Sequence, residues 1–186
     1  MAEAPLMQLR KLVLASLLAS LTAVGAYIHI PIGPVPIVLQ NLFVLLAGLL
    51  LGARWGLTSI AVYVLVGACG APVFAGGKGG LATLAGPTGG YLMGYILAAL
   101  VVGWIACGRQ KGMILDILAV VSGSLLVYAL GVPWLKWVTA WPWEKALMLG
   151  MLPFVPGDAV KAAAAVMLAR TLRPMMDRSQ SQQAIP

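Results

Sequence analysis

Residues 91–107 read YLMGYILAALVVGWIAC, an apolar stretch in which no side chain is charged. A helix of about 17–25 apolar residues can cross a bilayer, because its backbone hydrogen bonds all close within the helix. Predominantly apolar stretches of the same kind flank it at residues 12–30, 37–51, 57–69, 113–132 and 158–172. We therefore predict an all-α integral membrane protein, a compact bundle of six transmembrane helices whose third and sixth spans are short.

Composition supports this class of protein. Of the 186 residues, 61% are hydrophobic and only 9% are charged, far from the balance of a soluble domain. The connections between the apolar stretches leave no room for a separate soluble catalytic domain. We predict one transmembrane substrate-binding domain over residues 1–186, in which residues 174–186 form a polar cytoplasmic tail.

The basic residues predict the orientation of the bundle, because lysine and arginine concentrate in cytoplasmic loops. One side would hold only Lys78, Lys136 and Lys145. The other side would hold Arg10, Lys11, Arg54, Arg109, Lys111, Arg170, Arg173 and Arg178. Both termini are therefore predicted to be cytoplasmic. The net charge of +7 is dispersed over helix ends, which argues against a nucleic-acid-binding surface.

Asp158 and Lys161 stand in an otherwise apolar stretch. Residues 153–161, PFVPGDAVK, are typical of a turn, a helix N-cap at Asp158 and a first helical turn. Residues three apart share one helix face, and a charge in the bilayer interior costs about 2.5–3.5 kcal/mol on insertion scales. The two charges therefore either pair with each other or bind a polar ligand, and the sequence leaves both interpretations open.

Glycine and proline concentrate in the segments predicted to lie outside, which are residues 33–36, 70–90 and 134–158. Irregular backbone at membrane depth is tolerated where it is buried in protein or lines a cavity, so we predict a binding site that opens outward. Thr88 and Tyr91 offer hydroxyl groups there, although the glycines around them are also ordinary turn residues. Gln40 and Asn41 offer amides that either bind ligand or tie helices together.

Small residues recur every four positions at Ala15, Ala19 and Ala23 in the first apolar stretch. Such a face lets two helices approach closely. The contact is either internal to the bundle or made with a partner protein.

Residues that would support catalysis or a metal site are scarce. His29 is the only histidine, and no nucleophile motif accompanies it. We predict no enzyme activity, no catalytic residues and no metal site. A stand-alone carrier or a channel remains an alternative function, although two halves with matching broken helices are not apparent.

Several motifs, taken in this order, resemble one family of membrane proteins. They are residues 33–37 (GPVPI) with Gln40, 43–48 (FVLLAG), 71–74 (APVF), 86–91 (GPTGGY) and 153–161. These motifs cover nearly the whole chain. By this resemblance the protein is identified as a member of the BioY family, the biotin-specific S components of energy-coupling-factor (ECF) vitamin transporters. An S component for another vitamin is the sibling alternative.

This resemblance implies a function, a location and partners. The protein would capture biotin outside the prokaryotic cytoplasmic membrane and deliver it with an ECF transmembrane coupling subunit and cytoplasmic ABC-type ATPase subunits. Biotin would be a transported ligand, with no catalytic cofactor and with membrane lipid around the bundle. The resemblance also implies that Asp158 and Lys161 contact the ligand and that Ala15, Ala19 and Ala23 dock on the coupling subunit.

The chemistry of biotin is compatible with these residues. Asp158 is expected to accept hydrogen bonds from the ureido N–H groups and Lys161 to pair with the ligand carboxylate, although the two charges can exchange these roles. Gln40 or Tyr91 would add a hydrogen bond. Three residues of the second outer segment complete the predicted ligand-binding set: Phe74, Lys78 and Thr88. Lys78 departs from relatives that carry an uncharged polar residue in this segment.

Overall fold

The structure is a computed structural model that describes residues 3–31, 33–106 and 112–181, with side chains over 8–31, 33–106 and 112–176. Two of the basic residues used to predict orientation, Arg109 and Lys111, lie outside these ranges. The side chain of Arg178 and the last residues of the predicted tail, 182–186, also lie outside them.

The described chain is almost entirely helical, with one small antiparallel hairpin. In chain order the elements are α1 (Glu3–Tyr27), β1 (His29–Ile30), β2 (Ile37–Val38), α2 (Gln40–Ala68), α3 (Leu81–Ala85), α4 (Gly89–Ala106), α5 (Met113–Thr139), α6 (Trp143–Gly150) and α7 (Val155–Ser181). In the hairpin, His29 pairs with Val38 and Ile30 pairs with Ile37. The all-α prediction is confirmed.

Several predicted boundaries differ from those in the structure. The first helix ends at Tyr27 because the next residues pair in the hairpin. Helix α5 continues past Pro133, which transmembrane helices tolerate when neighbouring groups satisfy the freed carbonyl. Helix α7 likewise continues through Pro174 to Ser181, over residues predicted only as a polar tail. The short helices α3 and α6 were not predicted.

Helix α2 contains a sharp reversal at Gly52. This residue has φ 76° and ψ −179°, a conformation that is essentially restricted to glycine. The chain doubles back there, because residues before Gly52 contact residues after it. A Cβ on Gly56 would lie 3.1 Å from the carbonyl oxygen of Ala47, and Gln40 forms a hydrogen bond with Tyr63. The loop predicted between residues 51 and 57 is thus a reversal at one residue, and α2 forms two antiparallel legs.

Among the described residues, four helices are long and apolar enough to cross a membrane by length and composition alone: Gln8–Tyr27, Gln40–Ala68, Gly89–Ala106 and Met113–Thr139. This count takes α2 as one helix, although its two legs double back at Gly52. Helix α6 and residues Val155–Met176 meet at a bend of 45° and add a fifth if they are taken as one span. The predicted number of six spans and the predicted orientation stay predictions.

Helices α2, α4 and α5 form the centre of the bundle, and glycines allow them to approach closely. A Cβ on Gly48 would lie 2.8 Å from the carbonyl oxygen of Ala99, and one on Gly103 would lie 2.4 Å from the backbone of Ala53. Small residues have this role in membrane bundles, where packing replaces the hydrophobic effect between helices. The core therefore depends on glycine at these positions.

Helix α1 packs its alanine face against the second leg of α2. Ala15 is 5% exposed and Ala19 is 9% exposed, and Ser59 donates a hydrogen bond to the Ala15 carbonyl at 2.7 Å. These contacts match the internal-packing alternative for Ala15 and Ala19, and the docking role stays a prediction. Ala23 is half-buried against the same core.

A buried ion pair closes one end of the bundle. The guanidinium of Arg173 donates to both carboxylate oxygens of Asp116, at 2.8 and 3.0 Å, and Asp116 is 1% exposed. Arg173 also donates to the carbonyl of Leu49 at 2.9 and 3.2 Å, close to the reversal at Gly52. Arg170 approaches the same carboxylate at 3.5 Å. We call this cluster of Asp116, Arg170 and Arg173 the basic end.

Candidate ligand-binding site

A cavity of about 290 Å³ lies among the N-terminal ends of α2, α4 and α7, the middle of α5, and the segments that precede α2 and α4. Its volume is at the lower limit of small-molecule sites, which measure about 300–1,000 Å³. It is lined by Pro34, Val35, Pro36, Val38, Gln40, Asn41, Phe74, Ala75, Lys78, Ala82, Thr83, Gly86, Pro87, Thr88, Tyr91, Leu92, Tyr95, Val127, Tyr128, Phe154, Asp158 and Lys161.

A hydrogen-bonded group of three polar side chains forms part of the cavity wall. The ammonium of Lys161 lies 2.8 Å from Oδ1 of Asp158, and the hydroxyl of Tyr128 donates to Oδ2 of Asp158 at 2.5 Å. The Lys161 and Asp158 side chains are only 11% and 12% exposed. Removal from water strengthens the attraction between the two charges. Each charge is therefore balanced by the other, and Tyr128 fixes the orientation of the carboxylate.

The predicted N-cap role of Asp158 is wrong. Helix α7 begins three residues earlier, at Val155, and the Asp158 N–H already bonds the carbonyl of Phe154 at 2.8 Å. Proline fits the first turn of a helix because it needs no intrahelical donor there, so Pro156 does not delay the helix start. The carboxylate bonds to Lys161 and Tyr128 and projects into the cavity wall from within the first turn.

The two neighbouring amides at the start of α2 have different surroundings. Gln40 donates to the hydroxyl of Tyr63 at 2.8 Å, and Tyr63 donates to the carbonyl of Val73 at 3.1 Å. These two hydrogen bonds join the two legs of α2 to the segment that follows α2. Asn41 is 3% exposed, and its Oδ1 has no hydrogen-bond partner among the described residues.

Tyr91 lines the cavity with its ring, while its hydroxyl serves the fold. The hydroxyl donates to the carbonyl of Gly150 at 2.7 Å and so fixes the end of α6 to the start of α4. A Cβ on Gly131 would lie 2.3 Å from the Tyr91 ring, so the ring is tightly packed against α5. The single donor of the Tyr91 hydroxyl is thus used within the protein, and the predicted hydrogen bond between Tyr91 and a ligand stays a prediction in which this oxygen accepts.

The segment between α2 and α4, residues 70–88, contributes an aromatic wall and a cation. Phe74 is 1% exposed and meets the Tyr63 ring edge-on, with 5.6 Å between the ring centroids. The backbone N–H of Phe74 bonds the carbonyl of Lys78 at 2.9 Å. The Lys78 side chain is exposed and, unlike Lys161, makes no ion pair among the described residues. It therefore places an uncompensated positive charge at the open side of the cavity.

The structure brings all of the predicted ligand-binding residues to this cavity: Gln40, Phe74, Lys78, Thr88, Tyr91, Asp158 and Lys161. Sequence reasoning missed Tyr95, Tyr128 and Phe154. Tyr91 and Tyr95 are four residues apart on one helix, a spacing that places them on one face and that would have indicated Tyr95. Tyr128 is an isolated phenol in the apolar helix α5, and its pairing with Asp158 depends on tertiary contact.

Comparison with known proteins places the chain among membrane transporters. The BioY family profile matches residues 1–178. A protein of Pyrococcus horikoshii named "Probable biotin transporter BioY" is 44% identical over 90% of this chain and 98% of its own length. The "Biotin transporter BioY" of Thermotoga maritima is 42% identical over 89% of this chain and 96% of its own length.

A solved structure has the same fold. It is the crystal structure of the S component for biotin from an ECF-type ABC transporter, which superposes with a TM-score of 0.85 at 29% sequence identity. The match covers 94% of this chain and 95% of that chain. The S-component fold therefore extends over almost the whole chain.

Proposed function

The chain belongs to the BioY family, and from that membership we propose that it captures biotin and takes it up as the S component of an ECF transporter. It is a multi-pass membrane protein of a prokaryotic cell membrane and a transport protein rather than an enzyme. Biotin is the transported ligand in this proposal.

The observation that carries this proposal is the charge and polarity of the cavity wall. Asp158 and Lys161 compensate each other, and Lys78 adds one positive charge, so the lining favours a ligand with one net negative charge. Biotin has a single carboxylate, a neutral cyclic urea and an apolar bicycle. Aromatic and aliphatic side chains, Phe74, Tyr95 and Val127 among them, supply the apolar wall, as is usual for small-molecule sites.

Asp158 and Lys161 are proposed as the central polar contacts. The carboxylate of Asp158 keeps free lone pairs beside its two existing hydrogen bonds and accepts a ureido N–H. Lys161 has three donors, of which one bonds Asp158, and the others are available to the ligand carboxylate or carbonyl. Gln40, Phe74, Thr88 and Lys78 complete the set.

Transport by an S component needs an energy source, which we propose lies in partner subunits. A membrane coupling subunit and cytoplasmic ABC-type ATPases would bind this chain and drive release of the vitamin. The alanine face of α1, with Ala15, Ala19 and Ala23, is the docking surface in this proposal, although the side chains of Ala15 and Ala19 are largely covered within the chain itself.

Calorimetry on the detergent-purified protein tests the proposal, with biotin compared to thiamine and riboflavin. We expect selective binding of biotin that falls at least tenfold in Lys161→Ala, since hydrogen bonds to charged groups contribute about 1.5–3 kcal/mol. Lys145→Ala is the matched control, because this ammonium lies over the Trp141 ring at 4.3 Å and is not part of the lining. A folded protein that binds no biotin, or that prefers another vitamin, would overturn the proposal.

A further inference from the structure

We propose that Tyr95 is a specificity-determining contact in the cavity, which donates a hydrogen bond from its hydroxyl to the ureido carbonyl oxygen of the ligand. This role rests on the proposed biotin function and adds a polar contact to a side chain whose ring already forms part of the apolar wall. Neither the sequence pattern nor the family resemblance singled out Tyr95.

The Tyr95 hydroxyl differs from those of the other tyrosines in the chain, which number four. Each of those four donates to an acceptor within the protein: Tyr27 to Pro72, Tyr63 to Val73, Tyr91 to Gly150 and Tyr128 to Asp158. The hydroxyl of Tyr95 makes no hydrogen bond with any described residue. A tyrosine has one O–H donor, and a buried polar group that leaves its donor unused calls for an explanation.

The hydroxyl of Tyr95 faces the cavity. Tyr95 is only 7% exposed, yet its oxygen is not among the fully enclosed side-chain atoms that lack a partner, so this oxygen keeps some accessible surface. Met93 and Leu97, two residues to either side on α4, are exposed, and residues two apart on a helix project about 200° apart. Tyr95 therefore points into the bundle, where it lines the cavity.

Asp158 indicates which ligand atom the Tyr95 hydroxyl meets. Tyr95 lies within electrostatic range of Asp158, but the two carboxylate oxygens bond Lys161 and Tyr128 instead. In the proposed function Asp158 accepts a ureido N–H. The carbonyl of a cyclic urea adjoins its N–H groups, so a urea held at Asp158 presents its oxygen close by. An acceptor and a neighbouring donor would thus recognise the N–H and the C=O of one urea together.

An analogue of biotin in which sulfur replaces the ureido carbonyl oxygen isolates this contact, because the sulfur is a weaker acceptor. Wild type and Tyr95→Phe are titrated by calorimetry with biotin, with this thio analogue, and with dethiobiotin, which keeps the urea and lacks the ring sulfur. We expect Tyr95→Phe to bind biotin and dethiobiotin about fivefold more weakly, the size of one neutral hydrogen bond. The preference for biotin over the thio analogue should shrink by a similar factor.

Thermal unfolding in detergent without ligand separates a ligand contact from a structural role. Because the Tyr95 hydroxyl has no partner among the described residues, its removal should leave the unfolding temperature unchanged. Tyr27→Phe is the matched control, since Tyr27 does not line the cavity and its hydroxyl bonds the Pro72 carbonyl. This control should keep wild-type affinity for all three ligands. A clearly lower unfolding temperature of Tyr95→Phe, or its failure to fold, would show that the hydroxyl supports the fold and would overturn the proposal.

Two binding results would also overturn the role of Tyr95. One is unchanged affinity for biotin in Tyr95→Phe, and the other is an equal loss for biotin and the thio analogue, which would mean that the hydroxyl does not bond the carbonyl oxygen. In both cases wild-type protein still binds biotin. Absence of biotin binding by folded wild type would instead overturn the proposed function, and this inference with it.

Discussion

The hydroxyl of Tyr128, in the middle of α5, donates to Oδ2 of Asp158, in the first turn of α7, across 2.5 Å. The other oxygen of the same carboxylate holds Lys161 at 2.8 Å. Two helices that are distant in sequence thus fix one carboxylate in the cavity wall. Its orientation is set before a ligand arrives, which reduces the ordering that binding would otherwise require.

Removal of that hydroxyl tests its positioning role. In Tyr128→Phe the ring still packs, but one oxygen of Asp158 loses its donor, and we expect the affinity for biotin to fall about fivefold by calorimetry. Tyr27→Phe is the control, since the Tyr27 hydroxyl bonds the Pro72 carbonyl and this residue does not line the cavity. Unchanged affinity in Tyr128→Phe would show that Lys161 alone orients the carboxylate.

The charge of Lys78 is expected to contribute to biotin binding separately from that of Lys161. Because Lys78 is exposed and unpaired among the described residues, we expect Lys78→Met to lower the affinity for biotin about threefold, the size of a solvent-exposed ion pair. The affinity of the variant should also depend less on salt, since exposed charges are screened. The uncharged amide of biotin should bind wild type and Lys78→Met equally well, and an equal loss for both ligands would contradict a contact with the carboxylate.

Gly52 is predicted to be essential for the reversal of α2. Its backbone, at φ 76° and ψ −179°, is accessible to glycine but strained by about 1–3 kcal/mol for other residues. Gly52→Ala should therefore lower the thermal unfolding temperature in detergent. Gly33→Ala is the control, because a Cβ there meets no atom within 4 Å. Equal unfolding temperatures for the two variants would show that the reversal tolerates a side chain.

The basic end is expected to contribute to stability without affecting binding. Asp116→Asn leaves Arg173 as a buried cation with a weakened partner, and breaking a buried pair costs about 3–5 kcal/mol. Asp116 lies twelve residues before Tyr128 on α5, or about 18 Å along the helix. We therefore expect lower thermal stability with unchanged biotin affinity. Glu144→Gln, at an exposed carboxylate, is the control and should change neither thermal stability nor biotin affinity. A large loss of affinity in Asp116→Asn would show that the basic end and the cavity are coupled.

Much of the candidate site was predictable because polar residues are rare in this chain. Placing Asp158, Lys161 or Gln40 in lipid is costly, so each has to face the interior or a cavity. The structure gathers these residues, with Phe74, Lys78, Thr88 and Tyr91, around a single cavity. The sequence did not distinguish Gln40 from Asn41, since both are buried amides and only their neighbours in space differ.

The apolar stretches by themselves determined a helical membrane bundle, because a bilayer leaves a backbone no other way to satisfy its hydrogen bonds than within helices or closed barrels. Spacing alone could not determine which helix face meets which neighbour. The alanines of α1 had two possible partners, and the structure covers Ala15 and Ala19 with α2. Contacts between residues distant in sequence likewise decide the packing of the two legs of α2 and the pairing of Tyr128 with Asp158. Only the tertiary structure fixes those contacts, since they depend on how the helices pack and not on what each helix contains.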